Sequence, residues 1–190
     1  MKKIVEQAYA DLEGSLAAAR SRGDLLVRAA KMIAGTLTAG GIVYICGNGG
    51  SAAEAQHFAA EFVGRFLLTR PGLASVALST DTSKLTAIGN DYGFDEVFAR
   101  QIKALGRPGD VLWGISTSGK SPNVLKALRA ARDSGLKTVM MCGSVVPEVP
   151  YVDILIDSPA PNTPRMQELH LLYGHTVCQL VDHIIVEGGE

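Results

Sequence analysis

Apolar residues recur at helical spacing from the start of the chain. Ile4, Val5, Ala8, Leu12, Leu16 and Ala19 mark a helix within residues 2–22, which Gly23-Asp24 interrupts. A second helical stretch, Leu25 to Leu37, ends at Gly40-Gly41. From Ile42 the pattern changes to short β-branched runs, apolar throughout: Ile42–Cys46, Ser75–Ser79, Val111–Ile115, Thr138–Cys142 and Asp153–Ile156. Helical segments at 51–63, 82–88, 95–105, 122–134 and 164–187 separate them. Strands without alternation belong to a parallel sheet covered on both faces. The pattern therefore predicts an α/β three-layer sandwich: a five-stranded parallel sheet, doubly wound, with an added N-terminal helix pair. Ligands in such folds sit at the carboxyl ends of strands, where loops meet helix N-termini.

Length and composition narrow the class. At 190 residues the chain predicts one domain over 1–190, with residues 1–39 as helices for oligomer packing and 40–190 as the doubly wound core. A net charge of −1 lacks the concentrated positive field that a nucleic-acid clamp or a membrane-surface protein needs. Charged residues reach only 19% against 47% hydrophobic, which suits a chain that hides surface in an oligomer. Cys46, Cys142 and Cys178, odd in number and in apolar company, predict reduced thiols in a cytoplasmic protein. No apolar run is long enough to span a bilayer, and no leader pattern precedes the first helix.

Two loops look built for anions. After the first strand comes Gly47-Asn48-Gly49-Gly50-Ser51-Ala52, where glycines let backbone N–H groups approach a phosphate at a helix start. The same residues satisfy the dinucleotide pattern G-x-G-x-x-A, but the acid expected about 20 positions on is missing, and the nearest, Asp81, lies farther along. A tight turn with no ligand is the other reading. After the third strand comes Ser116-Thr117-Ser118-Gly119-Lys120-Ser121, which with Gly114 also satisfies the P-loop pattern, with Asp157 available as a second nucleotide-site acid. Pro122 argues otherwise. It makes Ser121 an extended N-cap outside the helix, whereas a P-loop serine lies in the first turn. Four hydroxyls in six residues suit a phosphate monoester, and hence a sugar phosphate.

Titratable residues gather on two helices. His57 and Glu61 stand four apart on one face of the first crossover helix, and Gln167, Glu168, His170 and His175 cluster on the last. A polar stripe on a surface helix would look the same. Imidazole, carboxylate and amide oxygen together would suit a borderline metal such as zinc. Gln167 and His175, however, lie about 12 Å apart along an ideal helix axis. Either that helix is interrupted, or one of the two serves a neighbouring subunit's site.

The segments CGNGGSAAEAQHFAAEFVGRF (46–66), TAIGNDYGFDEVFARQI (86–102), GDVLWGISTSGKSPNVLKAL (109–128) and TPRMQELH with His175 (163–175) resemble the sedoheptulose-7-phosphate isomerase (phosphoheptose isomerase) family of the sugar-isomerase (SIS) domain superfamily. The resemblance implies a cytoplasmic homotetramer with zinc, one per subunit, in sites between subunits. It further implies interconversion of sedoheptulose 7-phosphate and D-glycero-D-manno-heptose 7-phosphate, the first step towards ADP-heptose for lipopolysaccharide. It implies His57, Glu61, Gln167 and His175 as metal ligands, and Glu61 and His175 as the catalytic pair. Ser116, Thr117, Ser118 and Ser121, with Ser51, would hold the phosphate. Asn48, Gly49, Gly50, Asn90 and Asp91 would line the sugar, with Arg65 near by. Some relatives carry an acid where this chain has Pro164, and no role of that acid transfers. The superfamily also holds non-catalytic tetramers that bind the replication initiator protein. Glu61 and the two intact loops favour chemistry over that regulator.

Overall fold

In the computed structural model, residues 1–143 and 149–188 are described. The chain opens with α1 (Lys2–Ala19) and α2 (Gly23–Thr38), joined by a 3-10 turn at Arg20–Arg22. Then follow β1 (Val43–Gly47), α3 (Gly50–Val63), β2 (Ser75–Ala77), α4 (Thr82–Tyr92), α5 (Ala99–Leu105), β3 (Val111–Ser116), α6 (Pro122–Asp133), β4 (Lys137–Gly143), β5 (Ile154–Ser158) and α7 (Thr163–Glu187). The five strands form one parallel sheet in the order β2-β1-β3-β4-β5. The predicted sandwich is the observed one.

Boundaries depart from expectation where side-chain packing or turn chemistry intervenes. The predicted strand 75–79 stops at Ala77 because this edge strand pairs with β1 over three residues only, and Thr80 Oγ1 then closes a turn on the Ala77 carbonyl at 2.9 Å. The predicted helix 95–105 is two pieces. Gly93, at φ +89°, starts a 3-10 turn at Phe94–Glu96, and α5 begins only after Val97 and Phe98 have turned into the core. The helix predicted over 82–88 runs on to Tyr92.

A core lies on each face of the sheet. On one, Ala29, Ala30 and Ile33 of α2, Phe58 and Phe62 of α3 and Tyr173 and Val177 of α7 cover Trp113 and Ile115. On the other, Val97, Phe98, Ile102, Val124 and Leu128 cover Tyr44, Leu112 and Met140. At roughly 1.5–3 kcal/mol for each large apolar side chain buried, these faces are the main source of stability. The two N-terminal helices differ sharply. α2 buries Leu26, Ala29, Ala30, Ile33, Ala34 and Leu37, whereas α1 leaves Ile4, Val5 and Tyr9 exposed. Arg22, between them, reaches Asp157 at the end of β5 (Nε to Oδ1 3.0 Å), so that acid is committed to anchoring the helix pair.

α3 and α7 lie side by side and run the same way. Phe58 stacks on Trp113 with ring centroids 5.3 Å apart, and its outer edge fills the space where Gly174 has no side chain. A Cβ on Gly174 would stand 2.0 Å from Phe58 Cζ. This close approach brings the neighbours of Phe58 and Gly174 in sequence, His57 and His175, together. The thiols of Cys46 and Cys142 are buried and pushed up to about 12 by desolvation, and Cys178 is raised in the same way. Among the described residues no helix is long and apolar enough to cross a membrane.

Candidate functional site

The β1–α3 loop is built from backbone. Gly49 takes φ +55°, and a Cβ on Gly47 would meet the Ser51 carbonyl at 2.6 Å. Ser51 is buried at the helix start, its N–H donating to the Asn48 carbonyl at 2.9 Å. Gly50 abuts Gln167, since a Cβ there would fall 2.2 Å from Nε2. The N–H groups of Ser51 and Ala52 turn back on the Asn48 and Gly49 carbonyls, so what an anion would meet here is the positive end of the helix dipole.

The β3–α6 loop is built from hydroxyls. Pro122 occupies the first turn of α6 and Ser121 is its extended N-cap, as the sequence predicts. The Ser121 hydroxyl does not cap its own helix. It exchanges a hydrogen bond of 2.9 Å with Ser116 Oγ, while Ser118 Oγ accepts from the Lys120 N–H at 3.2 Å. Gly119, at φ +64°, makes the tight return. Asn123, which the sequence did not single out, locks the two loops together. Its side-chain amide and that of Asn48 donate to each other at 2.8 Å in both directions, and Asn123 is buried. An asparagine in the first turn of a helix has a local use of its own, and here Oδ1 also accepts from the Val124 N–H, so nothing local advertised the second role.

Two turns along α3 the character changes. His57 Nε2 lies 3.2 Å from Glu61 Oε1 and 2.8 Å from His175 Nε2, with the imidazole centroids 4.9 Å apart. One ligand atom from each of the three falls within 4.8 Å of the others. Burial first, and the neighbouring His57 imidazole second, hold His175 below the ordinary histidine range, with Glu61 pulling the other way. Phe66 stacks over His175 at 5.3 Å. Two imidazole nitrogens and one carboxylate converging at a half-open position fit a borderline divalent cation such as zinc.

The remaining predicted residues fall in different places. α7 is unbroken from Thr163 to Glu187, so the interruption considered for it does not occur. Gln167 therefore lies at the Gly50 level, about 12 Å up the helix from His175. Glu61 and His175 meet within one protomer, so the chemistry-bearing pair is not divided between subunits. Between the two levels His170 Nδ1 faces Glu54 Oε2 at 3.8 Å, both buried, and Glu168 pairs with Arg165. Asn90 and Asp91 sit on the exposed last turn of α4, hydrogen-bonded to each other at 2.8 Å. Thr117 is half-buried and Arg65 is exposed just past α3. The acids needed by the nucleotide readings are engaged elsewhere: Asp81 caps α4 through the Lys84 N–H, and Asp157 holds Arg22.

Comparison with known proteins bears on this arrangement. Residues 9–143 match the SIS domain family. A phosphoheptose isomerase of Solidesulfovibrio magneticus is 55% identical over 176 residues, covering 90% of this chain and 86% of its own. One from Neisseria meningitidis serogroup A is 46% identical and covers 99% of this chain and 100% of its own. Among solved structures, the phosphoheptose isomerase of Neisseria gonorrhoeae superposes with a TM-score of 0.86 at 43% identity, over 95% of this chain and 98% of that one. That of Francisella tularensis gives 0.89 at 34% identity, over 96% and 97%.

Proposed function

The chain belongs to the SIS domain family, among the phosphoheptose isomerases, and from that premise we propose that it converts sedoheptulose 7-phosphate to D-glycero-D-manno-heptose 7-phosphate. It is an isomerase of sugar phosphates; the particular heptose, and the route through ADP-heptose to lipopolysaccharide core, are the finer reading. The observation that carries it is the convergence of a carboxylate and two imidazoles on the α3–α7 pair that also carries the Gly50 loop. His57 stands about 10 Å along α3 from Gly50, a separation suited to an open-chain sugar phosphate lying along the helix. Its phosphate would take the hydroxyls of Ser51, Ser116, Thr117, Ser118 and Ser121. Asn48, Gly49, Gly50, Asn90 and Asp91 would line the carbon chain.

Aldose–ketose exchange moves one hydrogen between C1 and C2. Glu61 takes the C1 proton of the open-chain ketose, the C–H electron pair becomes the C1–C2 double bond, and the C2 carbonyl π pair moves onto O2 to give a cis-enediolate. His175, held neutral by its surroundings, relays the hydroxyl proton from O1 to O2. Glu61 then returns its proton to C2, and the electron pair left on O1 forms the aldehyde. A zinc ion held by His57, His175 and one carboxylate oxygen of Glu61, whose other oxygen would stay free for the proton, would supply positive charge for the oxygens of the enediol. Phosphate contacts remote from C1 would align the reacting carbons and so raise turnover as well as affinity.

We assign the zinc at one per subunit. Gln167, out of reach of His175 in its own protomer, would complete the metal set of a second copy. A homotetramer with sites between subunits gives the exposed Ile4, Val5 and Tyr9 of α1, and Leu171 and Leu172 of α7, something to cover. A small-molecule sugar phosphate is then the partner, with neither nucleic acid nor membrane, in the cytoplasm. Incubation with sedoheptulose 7-phosphate should yield the aldose, and a protein that yields none while retaining the replication initiator in a pull-down would be the non-catalytic regulator instead.

A further inference from the structure

A buried pair of charges closes α3 just where the triad sits. Arg70 belongs to the segment between α3 and β2, Asp182 to α7 about two turns beyond His175. Their side chains are 2% and 1% exposed, and Arg70 Nε donates to Asp182 Oδ1 at 2.6 Å. The other carboxylate oxygen accepts from the Leu68 N–H at 3.3 Å. The rest of the guanidinium turns to main-chain carbonyls: Nη2 donates to Glu61 O at 2.9 Å, and Nη1 to Phe62 O at 2.8 Å and Pro71 O at 3.2 Å. The last carbonyls of a helix have no partner within it. Here one side chain takes two of them, and one is the carbonyl of Glu61 itself.

We propose that Arg70 and Asp182 are positioning residues for the triad, fixing the C-terminal turn of α3 to α7; the proposal rests on the reading of His57, Glu61 and His175 as the metal and proton-transfer site. The triad is divided between two helices, so its geometry is the relative placement of those helices. At the upper level Gly50 against Gln167 sets that placement, and at the middle level Phe58 against Gly174 does. Below Glu61 the chain leaves the helix, and the guanidinium is what ties its end to α7. The same clamp anchors the segment carrying Phe66, the ring stacked on His175. Stability alone is a poor account of such a pair, because a buried ion pair is often replaceable by apolar side chains at no loss. A planar fork that meets a carboxylate on one edge and two carbonyls on the other is a geometric device, and lysine cannot reproduce it.

The test uses the full chain with Arg70→Met, Arg70→Lys and, as a control for lost stability, Val139→Ala, a fully buried residue of β4. Zinc affinity is measured by competition with a chromophoric chelator, kcat and KM with sedoheptulose 7-phosphate, and Tm by calorimetry. Arg70→Met should weaken zinc binding about 10–100-fold and lower kcat by a similar factor, with KM within about threefold. Arg70→Lys keeps a charge for Asp182 and should recover Tm while leaving zinc affinity and kcat impaired. Val139→Ala should lower Tm and leave zinc affinity and kcat unchanged. If Arg70→Met does not fold, Arg70→Lys decides. Arg70 variants with native zinc affinity and kcat, or a Val139→Ala that loses both in step with its Tm, would overturn the positioning role while the wild type still binds zinc and turns over. A wild-type protein that does neither removes the site reading, and the positioning role with it.

Discussion

The two ends of α3 are made of different materials. At its N-terminus the chain uses glycines and backbone N–H groups, with hydroxyls lent by the β3–α6 loop, and the Asn48–Asn123 pair holds the two loops in register. Towards its C-terminus it uses titratable side chains, His57 and Glu61, met by His175 from the neighbouring helix. Backbone donors and hydroxyls carry no net charge and do not titrate near neutrality, so the first end can hold an anion but not move a proton. The second end can move protons but offers an anion no crowd of donors. On the proposed reading, affinity and chemistry are concentrated at opposite ends of one rigid rod, and substitutions at the two ends should weigh differently on KM and kcat.

The largest effect belongs to the reacting end. Glu61→Gln keeps the shape of the side chain but removes the proposed base, and kcat should fall about 10²–10⁴-fold, equivalent to about 3–5 kcal/mol of transition-state stabilisation. KM should stay close to that of the parent and Tm should hardly move. A variant that kept full turnover would take Glu61 out of the base role and erase the distinction between the ends.

Next comes the anchoring end. Ser121→Ala removes a hydroxyl that already partners Ser116 and faces the start of α6. A hydrogen bond to a charged group is worth about 1.5–3 kcal/mol, so KM should rise tenfold to a hundredfold, with kcat falling less. Steady-state kinetics in which Ser121→Ala struck kcat and spared KM would show that the loop serves the chemistry and not the grip.

How much of this the sequence shows depends on whether the information is local. The strands were legible because a parallel sheet buried on both faces leaves no alternation, and Val111–Ile115 and Thr138–Cys142 lie inside observed strands. Both loops were legible as well: glycine at φ +55° and +64°, and proline in the first turn, are demands a turn makes of its own residues. The helical spacing of His57 and Glu61 showed two of the triad's three members. His175 could be joined to them only by knowing that α7 lies against α3, and that follows from Gly174 making room for Phe58, a fact of packing between distant residues. The same limit hid Asn123 and Arg70, whose partners are 75 and 112 positions away. Gln167 was visible beside His175 on the last helix as a possible amide ligand, and the continuous helix puts it at the Gly50 level instead.

That packing makes a third test. Gly174→Ala forces a Cβ into the Phe58 ring, which contacts Trp113 and has no free side to retreat to. Overpacking of this kind costs about 1–3 kcal/mol, visible as a lower Tm. Because the strain pushes α3 from α7 at the triad's level, kcat should fall further than KM rises. Gly174→Ala with unchanged Tm and kcat would mean that the two helices are not held as closely as their contact suggests.

The smallest effect is electrostatic and belongs to the reacting end alone. Desolvation and the His57 imidazole depress the basicity of His175, so the folded, metal-free protein binds fewer protons there than the unfolded chain does. Stability then rises with pH wherever the unfolded state holds the extra proton. The contribution is intact above the ordinary histidine value of 6.5 and is lost as pH falls through that value towards the depressed one. Proton NMR of the metal-free protein should show the His175 ring titrating below the ordinary histidine value of 6.5, and His175→Gln should flatten the decline of Tm on acidification below neutrality. An imidazole that titrated above neutrality would mean that Glu61 outweighs burial, that the ring is charged at neutral pH, and that it enters the proton relay as an imidazolium acid.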